Sequence, residues 1–178
     1  MYDDRRLIKG LHKGQLPAVE QIYQKYKDDL LAVALSLTGD IHTAEDCLQD
    51  VFVQLVSDRC RVRSNLKGYL LSCMVNRARQ HFRRCIANSN LQVNASTHRE
   101  CTSDPVNALS EADEAKTVIR AMEKLSQEQR EVIVLHLQGD MKFRQIAGML
   151  DMSINTVQSR YRYGMEKLRQ LLIKKEAI

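Results

Sequence analysis

Between Asp28 and Asp58 the sequence places seven carboxylates (Asp28, Asp29, Asp40, Glu45, Asp46, Asp50, Asp58) and no Lys or Arg; from Arg59 to Cys85 it places eight bases (Arg59, Arg61, Arg63, Lys67, Arg77, Arg79, Arg83, Arg84) and no acid. A merely solvated surface interleaves its signs, so two adjoining blocks of single sign point to two partner surfaces. The carboxylates around Glu45, Asp46, Gln49 and Asp50 are suited to dock a basic helix of a protein. The loop 59–65 and the face from Asn76 to Arg84 are suited to phosphate and to an unpaired strand, with extruded bases gripped by polar groups. Plain solvated faces remain the alternative for both blocks. A third group, Asn155, Thr156, Gln158, Ser159, Arg160 and Arg162, carries the side chains that read base edges and phosphates: Arg for guanine or phosphate, Asn and Gln for adenine, Ser and Thr for phosphate oxygen.

Covalent and acid–base chemistry finds little material. The sequence contains no H-E-x-x-H, no Walker loop, no G-x-S-x-G and no dinucleotide fingerprint, and His12, His42, His81, His98 and His136 fall in five different segments. Glu45, Asp46 and Asp50 share a stretch that can attract Mg²⁺, but surface acids are far commoner than metal sites. The expectation is a binding protein with no enzyme activity, no cofactor and no metal. Five cysteines (Cys47, Cys60, Cys73, Cys85, Cys101) form no C-x-x-C pair, and an odd count argues against a secreted disulfide framework. With no apolar leader and no window of about eighteen apolar residues, a reducing, cytoplasmic location is expected.

The elements that must carry these residues read as helices. A chain of 178 residues with 44% hydrophobic and 28% charged residues can bury a core, and 7 Gly with 2 Pro leave little for a turn-rich β fold. Leu16, Val19, Ile22, Tyr23, Tyr26, Leu30, Ala34 and Leu37 recur at helical spacing up to Gly39. Thr43 is positioned to cap a second helix, with Glu45 and Asp46 near its positive end and Ala44, Leu48, Val51, Phe52 and Leu55 as its apolar face. A third helix is predicted from Leu66 to Arg84, with Leu66, Leu70, Met74, Ala78 and Phe82 inward and Ser72, Asn76, Arg79 and Arg83 on the other side. The Asn-, Ser- and Thr-rich run 86–105 reads as a linker, whose roughly twenty residues reach at most ~66–72 Å, enough to let two domains sit on well-separated sites.

After the linker, Ser126 and Gln129 form a capping box. A short amphipathic stretch 143–150, a break at Asp151-Met152-Ser153 and a longer helix from Ile154 describe a helix-turn-helix, its second helix packed by Val157, Tyr161, Met165, Leu168 and Leu172. The fold class expected is all-α: two small helical domains joined by a flexible linker, 1–85 and 106–178, the C-terminal one containing the helix-turn-helix.

The order of acidic helix, basic helix, linker and helix-turn-helix resembles bacterial sigma factors of the extracytoplasmic-function (ECF) type of the sigma-70 family. Ala44-Glu45-Asp46-Cys47-Leu48-Gln49-Asp50-Val51-Phe52 is similar to the A-E-D-x-x-Q-[DE]-x-F stretch of that family. The resemblance implies that Glu45, Asp46, Gln49, Asp50 and Phe52 bind core RNA polymerase at the β′ clamp helices, with the β flap as a second contact. It implies that Arg59, Arg61, Arg63, Asn76, Arg77, Arg79, Gln80, Arg83 and Arg84 engage and melt the −10 element. Leu125-Ser126-x-x-Gln129-Arg130-Glu131-Val132 and the run from Phe143 to Arg160 are similar to the −35 reader, which assigns Arg144, Ser153, Asn155, Thr156, Gln158, Ser159, Arg160 and Arg162 to promoter DNA. An anti-sigma factor is a further implied partner. Gln145, Asp151 and Val56 depart from the Glu, Gly and Trp common at those places. The competing readings are a free-standing helix-turn-helix regulator of duplex DNA and a helical adaptor that binds only proteins.

Overall fold

Gly39 ends the first long stripe where the sequence predicts, in the left-handed region at φ 77°, and the chain on either side of it sets the N-terminal unit. The computed structural model describes residues 3–57, 62, 65–91 and 111–176, all of whose regular structure is helical. In order these helices are α1 (Asp4–His12), α2 (Leu16–Thr38), α3 (Ile41–Ser57), α4 (Leu66–Leu91), α5 (Glu111–Glu123), α6 (Gln127–Leu137), α7 (Phe143–Leu150) and α8 (Ile154–Glu176). Helix α2 buries Ile22, Tyr26, Leu30, Val33, Ala34 and Leu37, whereas Leu16 is 76% exposed and drops out of the predicted stripe.

Three local features depart from or add to the sequence reading. The stretch before Leu16 is helical: the Asp3 carboxylate caps α1 by accepting from the Arg5 amide, and Leu7, Ile8 and Leu11 bury against α2. Asp4 then accepts from the Tyr26 hydroxyl at 2.8 Å and from Lys25 at 2.6 Å. Second, Thr43 does not cap α3; the Asp40 carboxylate does, accepting from both the amide and the hydroxyl of Thr43 at 2.7 Å. That moves Glu45 and Asp46 into the second turn, where the helix dipole acts on them less. Third, α4 runs to Leu91, past the boundary expected at 86. The rest of the predicted linker lies outside the described residues.

In the C-terminal unit the capping box forms as read, with Ser126 Oγ accepting from the Gln129 amide and the Gln129 side chain accepting from the Ser126 amide. Asp151 closes α7 in the left-handed conformation at φ 53°, a role that Asp tolerates better than most non-glycine residues. Ser153 Oγ accepts from the Thr156 amide at 3.0 Å and so caps α8. His136, Phe143 and Tyr161 form an aromatic cluster, the first two stacked at 4.4 Å, that fixes α7 against α6 and α8.

The two units do not sit apart. One contiguous core runs from Leu7 through Leu71 and Val75 to Val132, Leu135 and Val157, because α5 and α6 pack on α2. Gly139, just after α6, has no room for a side chain: a Cβ there would lie 2.6 Å from the Leu135 carbonyl oxygen, and 3.2 Å from Leu71 Cδ1 in α4. Arg130, 7% exposed, fastens the joint. Its guanidinium donates to Leu37 O at the end of α2 (2.9 Å) and to Met122 O (2.9 Å) and Glu123 O (2.7 Å) at the end of α5, while Phe82 of α4 lies 5.7 Å beneath it. Helix α2 has no basic residue of its own in its last turn, so Arg130 supplies the positive charge that its carbonyl end favours. Replacing Arg130 with Met keeps the volume but leaves three carbonyls without that donor. We expect a loss of about 3 kcal/mol or more in urea-induced unfolding.

Candidate nucleic-acid interface

Helix α3 presents two faces. Ala44, Cys47, Leu48, Val51 and Leu55 are buried against α2 and α4, and Glu45, Asp46, Gln49 and Asp50 are exposed on the opposite side. Phe52, grouped with the exposed acids by resemblance, is 9% exposed and sits edge-on to Tyr23 at 5.0 Å. It holds α3 on α2 and offers no docking surface. Val53 and Val56, 67% and 42% exposed, extend the acidic face at helical spacing from Gln49. Their signal in the sequence was their offset from the apolar stripe, which makes them excess to the core. The Cys47 thiol is pushed up from its ordinary value, first by burial and then by Asp50 and Asp46, so it packs as a neutral side chain.

The basic face lies directly beside the acidic one. A cleft of about 540 Å³ opens between α3 and α4, lined by Val53, Gln54, Asn76, Arg77, Gln80 and Arg83 among others. A second hollow, of about 260 Å³, joins Asp46 and Asp50 to Arg77, His81 and Arg84. Arg77 bridges the helices: its guanidinium lies 3.8 Å from Asp50 and donates to Gln80 at 3.2 Å and Gln54 at 3.4 Å. The two charge blocks are thus two walls of one groove, a juxtaposition that the linear sequence hides. Asn76, Gln80, Arg83 and Arg84 are accessible along it.

Arg79 differs from its neighbours. Its Nε donates to Glu131 Oε1 at 2.7 Å and its Nη2 to Glu131 Oε2, and Gln127 donates to the same carboxylate at 3.0 Å. Glu131 is 2% exposed, and its hydrogen bond holds the Arg79 guanidinium above its ordinary value. Arg59, Arg61 and Arg63 lie outside the described residues. Val62 is buried, its carbonyl accepting from His12 Nε2 at 2.7 Å, so α1 holds the chain at that residue.

On α8, Asn155, Thr156, Gln158 and Arg162 are exposed at the N-terminal half, and Arg144 is exposed in the first turn of α7. Ser153 is engaged as the cap. Arg160 turns back towards the Met152 sulfur and Ser159 is half-buried, so these two present less to a groove than the sequence suggests. Tyr163, 56% exposed and stacked under Arg162 at 4.9 Å, was absent from the predicted set. Among the described residues, no group of three His, Cys, Asp or Glu is placed to hold a metal ion, and no helix is long and apolar enough to cross a membrane.

Comparison with known proteins agrees with this geometry. The family described as Sigma-70 region 2 matches residues 22–85, and Sigma-70, region 4 matches residues 115–168. The chain is 24% identical to the ECF RNA polymerase sigma factor SigW of Bacillus subtilis (strain 168) over 94% of this chain and 96% of the relative. Its fold is similar to that of the sigma factor RpoE from Bartonella quintana, solved in complex with the anti-sigma factor NepR, at a TM-score of 0.72 and 23% identity over 86% of this chain and 95% of that one. It is likewise similar to CnrH, solved with the cytosolic domain of CnrY, at a TM-score of 0.68 and 24% identity over 96% and 97% of the two chains.

Arg79 and Arg83 sit one turn apart on α4 yet differ in what depends on them. Arg79→Gln strands a buried carboxylate, and because Arg79 itself is partly wetted we expect a cost of about 2–3 kcal/mol in chemical denaturation. Arg83→Gln, on the open face, leaves the midpoint nearly unchanged. Equal effects would mean that the Glu131 pairing carries no stability.

Proposed function

The chain belongs to the ECF type of the sigma-70 family and directs promoter-specific transcription initiation, and we propose how its surfaces divide that work. Helix α3 docks on core RNA polymerase at the β′ clamp helices through Glu45, Asp46, Gln49 and Asp50, with Val53 and Val56 adding apolar contact. The α4 wall of the same groove takes the −10 element as a single strand, Asn76 and Gln80 offering amides to bases and Arg77, Arg83 and Arg84 offering charge to phosphates. Asn155, Thr156, Gln158 and Arg162, set at the N-terminal half of α8, enter the major groove of the −35 element while Arg144 steadies the backbone. The β flap is the polymerase contact of this second unit. The observation that carries the reading is the shared α3–α4 groove, in which an acidic wall adjoins a basic wall.

On this reading the protein acts in the cytoplasm and performs no chemistry; bond formation belongs to the polymerase. RpoE was solved with the anti-sigma factor NepR, and CnrH with the cytosolic domain of CnrY. An anti-sigma factor that covers the groove is therefore the form of control proposed for this chain.

The direct test is reconstitution: core polymerase, the purified chain and genomic promoter fragments, with transcript starts mapped. Initiation at defined sites is expected, and its absence on every fragment would overturn the assignment. Asp50→Lys is expected to abolish polymerase capture while leaving duplex affinity, and its linear decline with the logarithm of salt concentration, essentially unchanged. A variant that lost both would return the protein to the class of free-standing duplex binders.

A further inference from the structure

Helix α1 lines neither hollow of the α3–α4 groove, yet its last residue, His12, reaches the segment that joins the two walls. We propose that His12 is a positioning residue for −10 recognition: by donating to the Val62 carbonyl it fixes the chain between Arg61 and Arg63, so discrimination among −10 sequences depends on a side chain that touches no DNA. The inference rests on the functional reading above and adds to it a role for α1.

The tether is firmly held at its α1 end. Leu7, Ile8 and Leu11 are buried, and the Asp4 carboxylate ties the first turn to Lys25 and Tyr26 of α2. Gly10 approaches α2 so closely that a Cβ there would lie 2.7 Å from Ala18 Cβ. Just past His12 the helix is closed by Gly14 at φ 71°. Its amide donates to Leu11 O at 2.9 Å and the Gln15 amide donates to Gly10 O at 3.1 Å, the paired bonds of a Schellman turn. The backbone that carries the imidazole is thus fixed on α2 from both sides.

At the other end the tether grips a backbone atom. Val62 is 1% exposed, and its carbonyl oxygen lies 2.7 Å from His12 Nε2. A carbonyl can only accept, so Nε2 carries the proton and donates. A buried carbonyl needs such a donor, and this one comes from 50 positions away in the chain. Seven residues, 58–64, join Ser57 at the end of α3 to Asn65, whose side chain accepts from the Gly68 amide at 2.9 Å at the start of α4. Three of the seven are arginines, and Val62 stands between two of them. Consecutive Cα atoms lie about 3.8 Å apart, so holding Val62 limits where the side chains of Arg61 and Arg63 can begin. Arginine selects among bases only when its guanidinium is presented in a set geometry, whereas attraction to phosphate tolerates a looser one. Loss of the tether therefore costs discrimination more than it costs overall affinity.

Three full-length chains, each with core polymerase on a promoter mapped by the reconstitution above, test this. They are the parent, His12→Leu, which keeps the bulk and loses the donor, and His12→Gln, whose amide nitrogen has nearly the reach of Nε2. Transcript yield is compared between the native −10 element and single-base substitutions of it. His12→Leu is expected to lower the ratio of native to substituted yield roughly fivefold, the scale of one hydrogen bond, and His12→Gln to restore it. An unchanged ratio in His12→Leu, including a fall common to every template, overturns the proposal, as does a ratio that His12→Gln leaves low. A second measurement needs no DNA. Trypsin cuts after arginine, and cleavage of the free His12→Leu chain after Arg61 and Arg63 is expected to run severalfold faster than in the parent or in His12→Gln. Equal rates overturn the proposal. If trypsin separates the variants as expected but the parent directs no transcript from any fragment, the functional reading is at fault, and the role of His12 in promoter selection falls with it.

Discussion

A single guanidinium sits where four helices meet, and the arrangement of the molecule follows from its needs. Arg130 is buried; its charge is met by the carbonyl ends of α2 and α5 and by the face of Phe82. Burial draws its guanidinium below the ordinary arginine range, with Glu123 and Glu131 opposing that shift. Such a residue is tolerable only while all three carbonyls stay in place, because an arginine stripped of acceptors in a low-dielectric interior is strongly unfavourable. The ends of α2 and α5 are therefore fixed relative to α6, and the helix-turn-helix that α6 supports is fixed with them. Glu131, one residue on, extends the same constraint to α4.

This constraint gives meaning to the charge segregation. A chain of net charge +5 looks only mildly basic because an acid wall and a basic wall stand on one groove and largely cancel in the sum. Arg77 links the walls, touching Asp50 on one side and Gln80 on the other. On the proposed reading, a partner that took the Asp50 carboxylate would free Arg77 towards the cleft, and docking on α3 and strand capture on α4 would be electrostatically coupled through one side chain. The field in the groove is set by that adjacency far more than by the overall charge.

Much of the local architecture was legible in the sequence because it rests on local rules. The Ser126–Gln129 capping box, the Gly39 stop, the Ser153 cap and the turn at Asp151 depend on neighbours three or four residues away, and each formed as the residue types require. What escaped was either short or non-local. Helix α1 rests on only three apolar residues, too few for a periodic signal, and is held by Asp4 reaching Tyr26 across the fold. Phe52 and Val53 are neighbours in sequence with opposite fates, decided by the packing of α2 and not by their hydrophobicity. Arg79 and Arg83 share a helix face, yet only Arg79 meets Glu131, a residue 52 positions away. The run 86–105 read as a spacer between separate domains; nothing in its composition reveals that the units on either side share a core.

That shared core is the central claim, and the dimension of the free protein in solution measures it most directly. A single packed body of 178 residues has a radius of gyration of about 16 Å. Small-angle X-ray scattering of the purified chain, without polymerase or DNA, is expected to give a value near this and a pair-distance distribution with one maximum. A radius well above it, with the two-peaked distribution of separated domains, would contradict the account.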